Sequence, residues 1–223
     1  MTQFVTTLNA LCIANSNENN ASQMKAYMRE QFEFFGIKTK ERRALLKEAY
    51  AEHKPDVDSN IRTIVFELYK QPQRELHHCG IELFQKILKK KYLESDIALI
   101  EKLITNNSWW DSVDFIAKQI LGEYLLQFPE TTKTVISKFS NSNHMWLQRC
   151  SIIFQLGYKK QTNEALLFQQ CLAHKHSEEF FIQKAIGWAL REYGKTNPQS
   201  VFNFVNSADL KPLSTKEAIR NIS

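Results

Sequence analysis

The sequence predicts an all-α protein made of short helices that stack in antiparallel pairs. Apolar residues recur with helical spacing along almost the whole chain, and no segment alternates apolar and polar residues as a half-buried strand would. Only six glycines and five prolines interrupt the pattern, and every proline falls between helical segments or at the start of one. Because no long polar linker divides the 223 residues, we expect a single domain over residues 1–223.

Thirteen helical segments follow from this periodicity. Pairs of such helices span roughly 35–45 residues, the size of HEAT-type repeats, which favours a stack of pairs over a four-helix bundle, although the sequence shows no strict internal repeat. The predicted segments are 2–15, 20–33, 39–53, 58–70, 73–90, 95–106, 109–127, 130–140, 144–157, 162–174, 178–195, 198–206 and 214–222.

The composition indicates a reduced protein with a modest preference for polyanions. The chain has 29 Lys and Arg against 24 Asp and Glu, a formal charge of +5 and a pI near 8.9, which suits a polyanion but also suits many basic proteins. The four cysteines are far apart, and the N-terminus lacks the pattern of a signal peptide. We therefore expect a reduced, cytoplasmic protein without a membrane span.

The segment from Gln23 to Lys47 is basic and rich in aromatic residues. Its candidate DNA contacts are Tyr27, Lys38, Arg42 and Arg43. The alternative is a solvated helix face around core aromatic residues, because runs of charge usually are solvated faces.

The stretch 107–114 places two indoles and two carboxylates at the start of a helix. Ser108, followed three residues later by Asp111, fits a capping box, which gives Asp111 a structural role. Asp114 lies beyond the first turn, on the same face as Trp110 and at the edge of the apolar stripe that faces the core. A carboxylate in such surroundings needs a partner or a function. Asp114 is therefore either a paired structural acid or a catalytic residue.

Arg149 repeats this anomaly with the opposite charge. Helical spacing of Met145, Ile152, Ile153 and Leu156 puts the guanidinium inside an apolar face, where it needs an anion. The sequence leaves two anions open, the Asp114 carboxylate and a nucleic-acid phosphate.

Basic residues flank a tryptophan in the helix predicted at 178–195. One ridge of this helix carries Lys184, Trp188, Arg191 and Lys195. Such a ridge suits a phosphate backbone beside an aromatic side chain, although an amphipathic helix with a basic border explains it equally well. Further along, Ser214 and Glu217 fit a second capping box with a structural role.

Several chemistries have no support in the sequence, and one reaction fits what is left. The histidines show no metal-ligand spacing, and the GxGxxG, P-loop and GxSxG motifs do not occur, so we expect no metal and no cofactor. An N-alkylated purine already carries a positive charge and leaves as a neutral base, so it needs no general acid, unlike the leaving group of an ordinary glycoside. A single carboxylate could stabilise the oxocarbenium-like sugar that remains.

Two motifs carry a resemblance that covers essentially the full length. They are Trp-Trp-Asp-x-Val-Asp at 109–114 and Ala-Ile-Gly-Trp-x-Leu-Arg-Glu-Tyr at 185–193, supported by the stretches 27–43, 145–149 and 213–218. Together they resemble the bacterial DNA alkylation repair family of AlkD-like glycosylases.

The resemblance implies a right-handed α-α superhelix of HEAT-like helix pairs. It also implies a metal-independent, monofunctional glycosylase that removes N3-methyladenine and N7-methylguanine from duplex DNA, and hence a protein associated with the nucleoid through DNA binding. We expect the protein to be a monomer. The family's catalytic aspartate matches Asp114, its cleft tryptophans match Trp110 and Trp188, its cleft arginine matches Arg149, and a cleft tyrosine matches Tyr27.

Two other functions remain compatible with the sequence. One is a non-catalytic helical-repeat protein that binds damaged or branched DNA, which would bind without releasing a base. The other is a protein-binding scaffold, whose affinity for DNA would be negligible and would lack the steep salt dependence of phosphate contacts.

Overall fold

The structure, a computed structural model, describes residues 1–220. Regular structure in these residues is helical apart from one isolated bridge between Glu33 and Gln73, which confirms the predicted all-α class. The chain divides into two compact units, Met1–Lys91 and a second that begins at Tyr92. The single domain expected over residues 1–223 stays a prediction.

Five helices build the first unit. They are α1 (Gln3–Ala14), α2 (Glu18–Tyr27), α3 (Thr39–Glu52), α4 (Lys54–Tyr69) and α5 (Arg74–Leu88). Helices α4 and α5 form the most extensive pair, while α1 packs against α3 and α4. Apolar positions three and four residues apart, such as Ile61, Ile64, Val65 and Leu68 in α4, are buried at these contacts, as the helical periodicity predicts.

The second unit contains the remaining helices. They are α6 (Asp96–Thr105), α7 (Trp110–Phe115), a π-helical turn (Ile116–Leu121), α8 (Gly122–Gln127), α9 (Thr132–Ser140), α10 (Met145–Ile153), α11 (Glu164–Ala173), α12 (Phe180–Gly194), α13 (Pro198–Ser207) and α14 (Pro212–Ala218), with short 3-10 turns at Pro129–Thr131 and Lys159–Gln161. Helix α10 packs between α9 and α12, and α12 packs in turn against α13 and α14. The stack of neighbouring helices was the predicted arrangement.

The predicted regular helix over 109–127 is wrong in its middle. Helices α7 and α8 are joined without a break by the π-helical turn, whose backbone hydrogen bonds span five residues instead of four. Ile116, Ala117, Ile120 and Leu121 in this turn are all fully buried. The wider turn thus lets adjacent residues face the core together, and it follows the turn that carries Asp114.

Two predicted helix ends also need correction. Helix α2 ends at Tyr27 instead of continuing to residue 33, because Arg29 and Glu30 adopt left-handed φ angles of 54° and 60°, which no regular helix accommodates. The terminal helix, predicted at 214–222, runs from Pro212 to Ala218; residues 221 and 222 lie outside the described part of the chain.

Both predicted capping boxes are wrong. The N-cap of α7 is Trp109 and has no side-chain cap, and the Ser108 hydroxyl donates to the Ile104 carbonyl at the end of α6. The Ser214 hydroxyl donates to the Gln183 carbonyl of α12, so it joins two helices instead of capping α14. Ser108 thus binds the end of the preceding helix, whereas Ser214 uses an acceptor 31 residues away.

Two further features of the fold are the state of the cysteines and the lengths of the helices. All four cysteines are buried and unpaired with one another. None of the helices within residues 1–220 is both long enough and apolar enough to cross a bilayer.

Candidate active site

Asp114 lies on α7 immediately before the π-helical turn. Its side chain is 17% exposed, so most of the carboxylate is withdrawn from water. Trp110, one helical turn earlier, lies on the same side of α7 and is half-buried. The helix thus presents an indole and a carboxylate next to each other along one face.

Arg149 from α10 holds both oxygens of this carboxylate. Its Nε donates to Oδ1 at 2.7 Å and its Nη2 donates to Oδ2 at 2.9 Å, a bidentate geometry that only the planar guanidinium fork provides. The third nitrogen, Nη1, donates to the backbone carbonyl of Phe181 in α12. The Arg149 side chain is only 5% exposed. Of the two anions that the sequence left open, the guanidinium therefore binds the Asp114 carboxylate.

An aromatic cluster surrounds the arginine. Trp109, Trp146 and Phe181 come from three different segments, and their ring centroids lie 5.0–5.9 Å apart. The guanidinium carbon of Arg149 lies 5.9 Å from the centre of the Phe181 ring. Tilted and edge-on ring contacts of this kind fix the relative positions of the segments, so the cluster holds the Phe181 carbonyl where Arg149 needs it.

Burial raises the pKa of the Asp114 carboxyl above its ordinary value, because the charged form loses hydration. The hydrogen bonds and charge of Arg149 oppose this rise, and the nearby charge of Asp111 adds to it. The net pKa is raised. A pKa raised by burial beside a specific charged partner is a feature that functional sites often share, and structural ion pairs show it as well.

Trp188 lies on α12, seven residues after Phe181 and therefore two turns along the same side. The neighbouring Gly187 faces α14 so closely that a Cβ there would lie 2.4 Å from the Glu217 Cβ. This close approach requires glycine, and it presses α14 against the turn of α12 that carries Trp188.

Glu217 binds the two cations on either side of Trp188. Lys184 lies 2.8 Å and Arg191 lies 2.6 Å from its carboxylate, and Arg191 also donates to the Glu217 carbonyl. These contacts lower the pKa of Glu217 to about 2. The Glu217 carboxylate therefore joins α14 to α12 and does not cap the helix on which it lies.

Most other predicted DNA contacts also have acidic partners. Lys195 lies 2.5 Å from Glu192. In the first unit, Glu82 binds both Arg42, whose residue is 5% exposed, and Arg43, which is exposed. Burial leaves Arg42 little surface for a phosphate.

Two predicted contacts of the first unit stand at the surface. Tyr27 is the last residue of α2 and is 70% exposed. Lys38 is exposed just before α3.

The structure thus brings Asp114 and Arg149 into direct contact. Trp110 lies on α7 together with Asp114, and Trp188 lies on α12 together with Phe181. Glu82, Glu217 and the Phe181 carbonyl were missed by sequence reasoning. A backbone carbonyl has no signal in a sequence, and Glu217 matched a capping spacing by coincidence. Within residues 1–220 no three His, Cys, Asp or Glu side chains are grouped so that they could hold a metal ion.

Comparisons with known proteins identify the family of the chain. A comparison with proteins of curated function found no match. Among solved structures, the chain is similar to one described as a predicted DNA alkylation repair enzyme from Enterococcus faecalis, with 31% sequence identity and a TM-score of 0.86 over 93% of this chain and 97% of that chain. The sequence profile of the DNA alkylation repair enzymes matches residues 8–222. By this match over nearly its whole length, the chain belongs to the DNA alkylation repair enzyme family.

Proposed function

We propose that the protein is a monofunctional, metal-independent DNA glycosylase that hydrolyses the N-glycosidic bond of cationic alkylated purines in duplex DNA. N3-methyladenine and N7-methylguanine are the expected lesions. The observation that carries this proposal is the largely buried carboxylate of Asp114, held by Arg149 in a chain of the DNA alkylation repair family.

The charge on the lesion explains why one carboxylate is enough. When the glycosidic bond breaks, both electrons go to the cationic base, which leaves as a neutral molecule, and the positive charge moves to the sugar. Water then adds to the sugar carbon and loses a proton. A fixed negative charge beside the sugar stabilises the transition state, and its effect is largest where water is excluded.

The contacts of Asp114 are compatible with this role. Arg149 uses one acceptor direction on each carboxylate oxygen. An ionised carboxylate has about four such directions, so each oxygen retains one for a water molecule or the sugar. We assign Arg149 to keeping Asp114 ionised and correctly oriented.

The tryptophans and cations complete the assignment. The indoles of Trp110 and Trp188 would hold the deoxyribose of the lesion, since tryptophan faces attract positive charge. Among the predicted DNA contacts, those with exposed surface are Tyr27, Lys38, Arg43, Lys184 and Lys195. Arg42 and Arg191 are held by Glu82 and Glu217, so we assign them to positioning.

The decisive experiment measures base release from duplex DNA that contains N7-methylguanine, in the presence of EDTA. The wild-type protein should release the base, and Asp114→Asn should lower the single-turnover rate by at least about 100-fold, the usual effect of losing one electrostatic stabiliser. Asp111→Asn is the matched control, because it removes an acid of the same helix and should retain activity. No release by the wild-type protein, or equal release by Asp114→Asn, would overturn the proposal.

One observation favours the alternative of a non-catalytic protein that binds damaged or branched DNA. Both oxygens of Asp114 already have a partner, as in a purely structural ion pair. That alternative predicts tight binding to the lesion-containing duplex with no release of free base. The same assay therefore separates the two functions.

A further inference from the structure

A second group of cations lies further along the helices that carry the candidate active site. Lys118 follows Asp114 by four residues on the same continuous helix. Lys159 follows the end of α10, and Lys195 directly follows the end of α12. Each of the three elements that meet at the Asp114–Arg149 pair therefore continues to a lysine.

The side chain of Lys118 approaches Gly157, two residues before Lys159. The glycine has a φ angle of +92°, and a Cβ at this position would lie 3.3 Å from Lys118 Cε and 3.8 Å from Lys118 Nζ. The ammonium group of Lys118 thus lies over the bare backbone of the loop that follows α10. A larger residue at 157 would push this lysine away.

The same loop borders a cavity of about 170 Å³. Its lining residues include Lys159, Thr162, Glu192, Lys195 and Thr196, together with apolar residues of α10, α11 and α12. Lysine ammonium groups and threonine hydroxyls are common donors to phosphate oxygens in protein–DNA complexes. The cavity beside Gly157 therefore includes residues of the right kind to bind a phosphate.

The charges of the group are only partly neutralised. Glu192 pairs with Lys195. Neither Lys118 nor Lys159 takes part in an ion pair with any of the residues 1–220, and both are exposed. Two ammonium groups near one glycine loop are thus left for an external anion.

From this arrangement we infer that Lys118 and Lys159, grouped around Gly157, form a binding site for the DNA backbone next to the lesion, in which each lysine contacts its own phosphate. Lys118 lies four helical residues, about 6 Å of rise, beyond Asp114, so the site lies within roughly two 3.4 Å nucleotide steps of the active site. This inference rests on the proposed function for the identity of the lesion, but the site needs only the phosphodiester backbone.

The test is the salt dependence of binding to an undamaged duplex, followed by fluorescence anisotropy. Each phosphate contact contributes about 0.9 to the slope of log affinity against log salt. Lys118→Ala and Lys159→Ala should each reduce the slope by about 0.9, so a fourfold rise in NaCl should weaken wild-type binding about 3.5-fold more than binding by either variant. The matched control is Lys138→Ala, because the ammonium group of Lys138 is already paired with Glu101 and its loss should leave the slope unchanged.

Wild-type slopes in both Lys118→Ala and Lys159→Ala would overturn the inference, as would an equal reduction in the Lys138→Ala control. Base release by the wild-type protein is measured separately. A protein that releases no base but shows the two reduced slopes would refute the glycosylase proposal and support the phosphate site. A protein that releases base while both slopes are unchanged would do the reverse.

Discussion

Arg149 joins three segments of the second unit through one side chain. It satisfies both oxygens of Asp114 on α7 and the Phe181 carbonyl on α12, while its own helix, α10, packs against α12. A buried ion pair of this kind contributes less to stability than its contacts imply, because both charges lose hydration. Substitution of only one partner, however, leaves the other as an uncompensated buried charge.

The first prediction follows from that asymmetry. Arg149→Met should lower the free energy of unfolding by about 3–5 kcal/mol, the cost of leaving a buried partner unpaired. The double variant Asp114→Asn/Arg149→Met should recover part of this loss, since it removes the stranded charge. Urea denaturation of the wild type, both single variants and the double variant measures the coupling, and strictly additive losses would contradict a direct pair.

The raised pKa of Asp114 sets the second prediction. Glycosylase activity requires the ionised carboxylate, so base release should fall on acidification at a pH above the ordinary value of 3.8 for this group. Because folding raises this pKa, protonation of Asp114 favours the folded state, so the loss of activity on acidification does not come from unfolding caused by this group. Single-turnover release from roughly pH 4 to 8, corrected for spontaneous depurination, gives the midpoint.

Asp111 provides the control for that midpoint. Its charge contributes to the raised pKa of Asp114, so Asp111→Asn should move the acid limb of the release profile to lower pH. An unchanged midpoint in Asp111→Asn would assign the limb to another group.

The sequence allowed each member of the pair to be predicted, but not the pair itself. Asp114 and Arg149 each stand out because a charge falls on an apolar helical face, and this needs only the helical period. Whether they meet depends on the packing of α7 against α10. The sequence therefore left Asp114 and phosphate as equal partners for Arg149.

At the scale of elements, most helix positions could be predicted, whereas deviations from regular helix could not. The π-helical turn Ile116–Leu121 contains residues that also suit an α-helix, so only tertiary packing distinguishes the two. The same holds for Ser214, whose hydroxyl donates to the Gln183 carbonyl on α12. Local spacing predicts a local partner, and this residue uses a distant one.

The third prediction concerns the junction of α12 and α14. Glu217 joins these helices through Lys184 and Arg191, so Glu217→Gln should lower the free energy of unfolding at neutral pH by roughly 1–3 kcal/mol, the range for hydrogen bonds to charged groups. Because the pKa of Glu217 is lowered from 4.5 to about 2, its contribution is complete above pH 4.5 and is lost as the pH falls toward 2.

The measurement compares urea denaturation of the wild type and Glu217→Gln from roughly pH 3 to 7. The difference between the two proteins should shrink below the ordinary pKa of glutamate. A constant difference over this range would mean that the carboxylate acts through its shape and not through its charge.

At the scale of the whole molecule, the proposed function divides its residues between the two units. The second unit carries Asp114, Arg149 and both candidate tryptophans, whereas the first carries Tyr27, Lys38 and the arginines on α3. The motifs in both units, and not the composition, made the family predictable. A net charge of +5 alone suits many proteins.

Two adjacent arginines of the first unit give the last prediction, because one acid binds both and only one is exposed. Arg42 is buried and donates to Glu82 and to the Cys79 sulfur, so Arg42→Ala should destabilise the fold by about 1–3 kcal/mol. Arg43 is exposed beside a carboxylate that Arg42 already neutralises, so Arg43→Ala should change stability by less than about 0.5 kcal/mol.

If the first unit contacts the same duplex as the second, Arg43→Ala should also reduce the salt slope of DNA binding by about 0.9. Denaturation and anisotropy titrations on both variants measure the two effects, and an unchanged slope in Arg43→Ala would remove Arg43 from the DNA contacts of the protein.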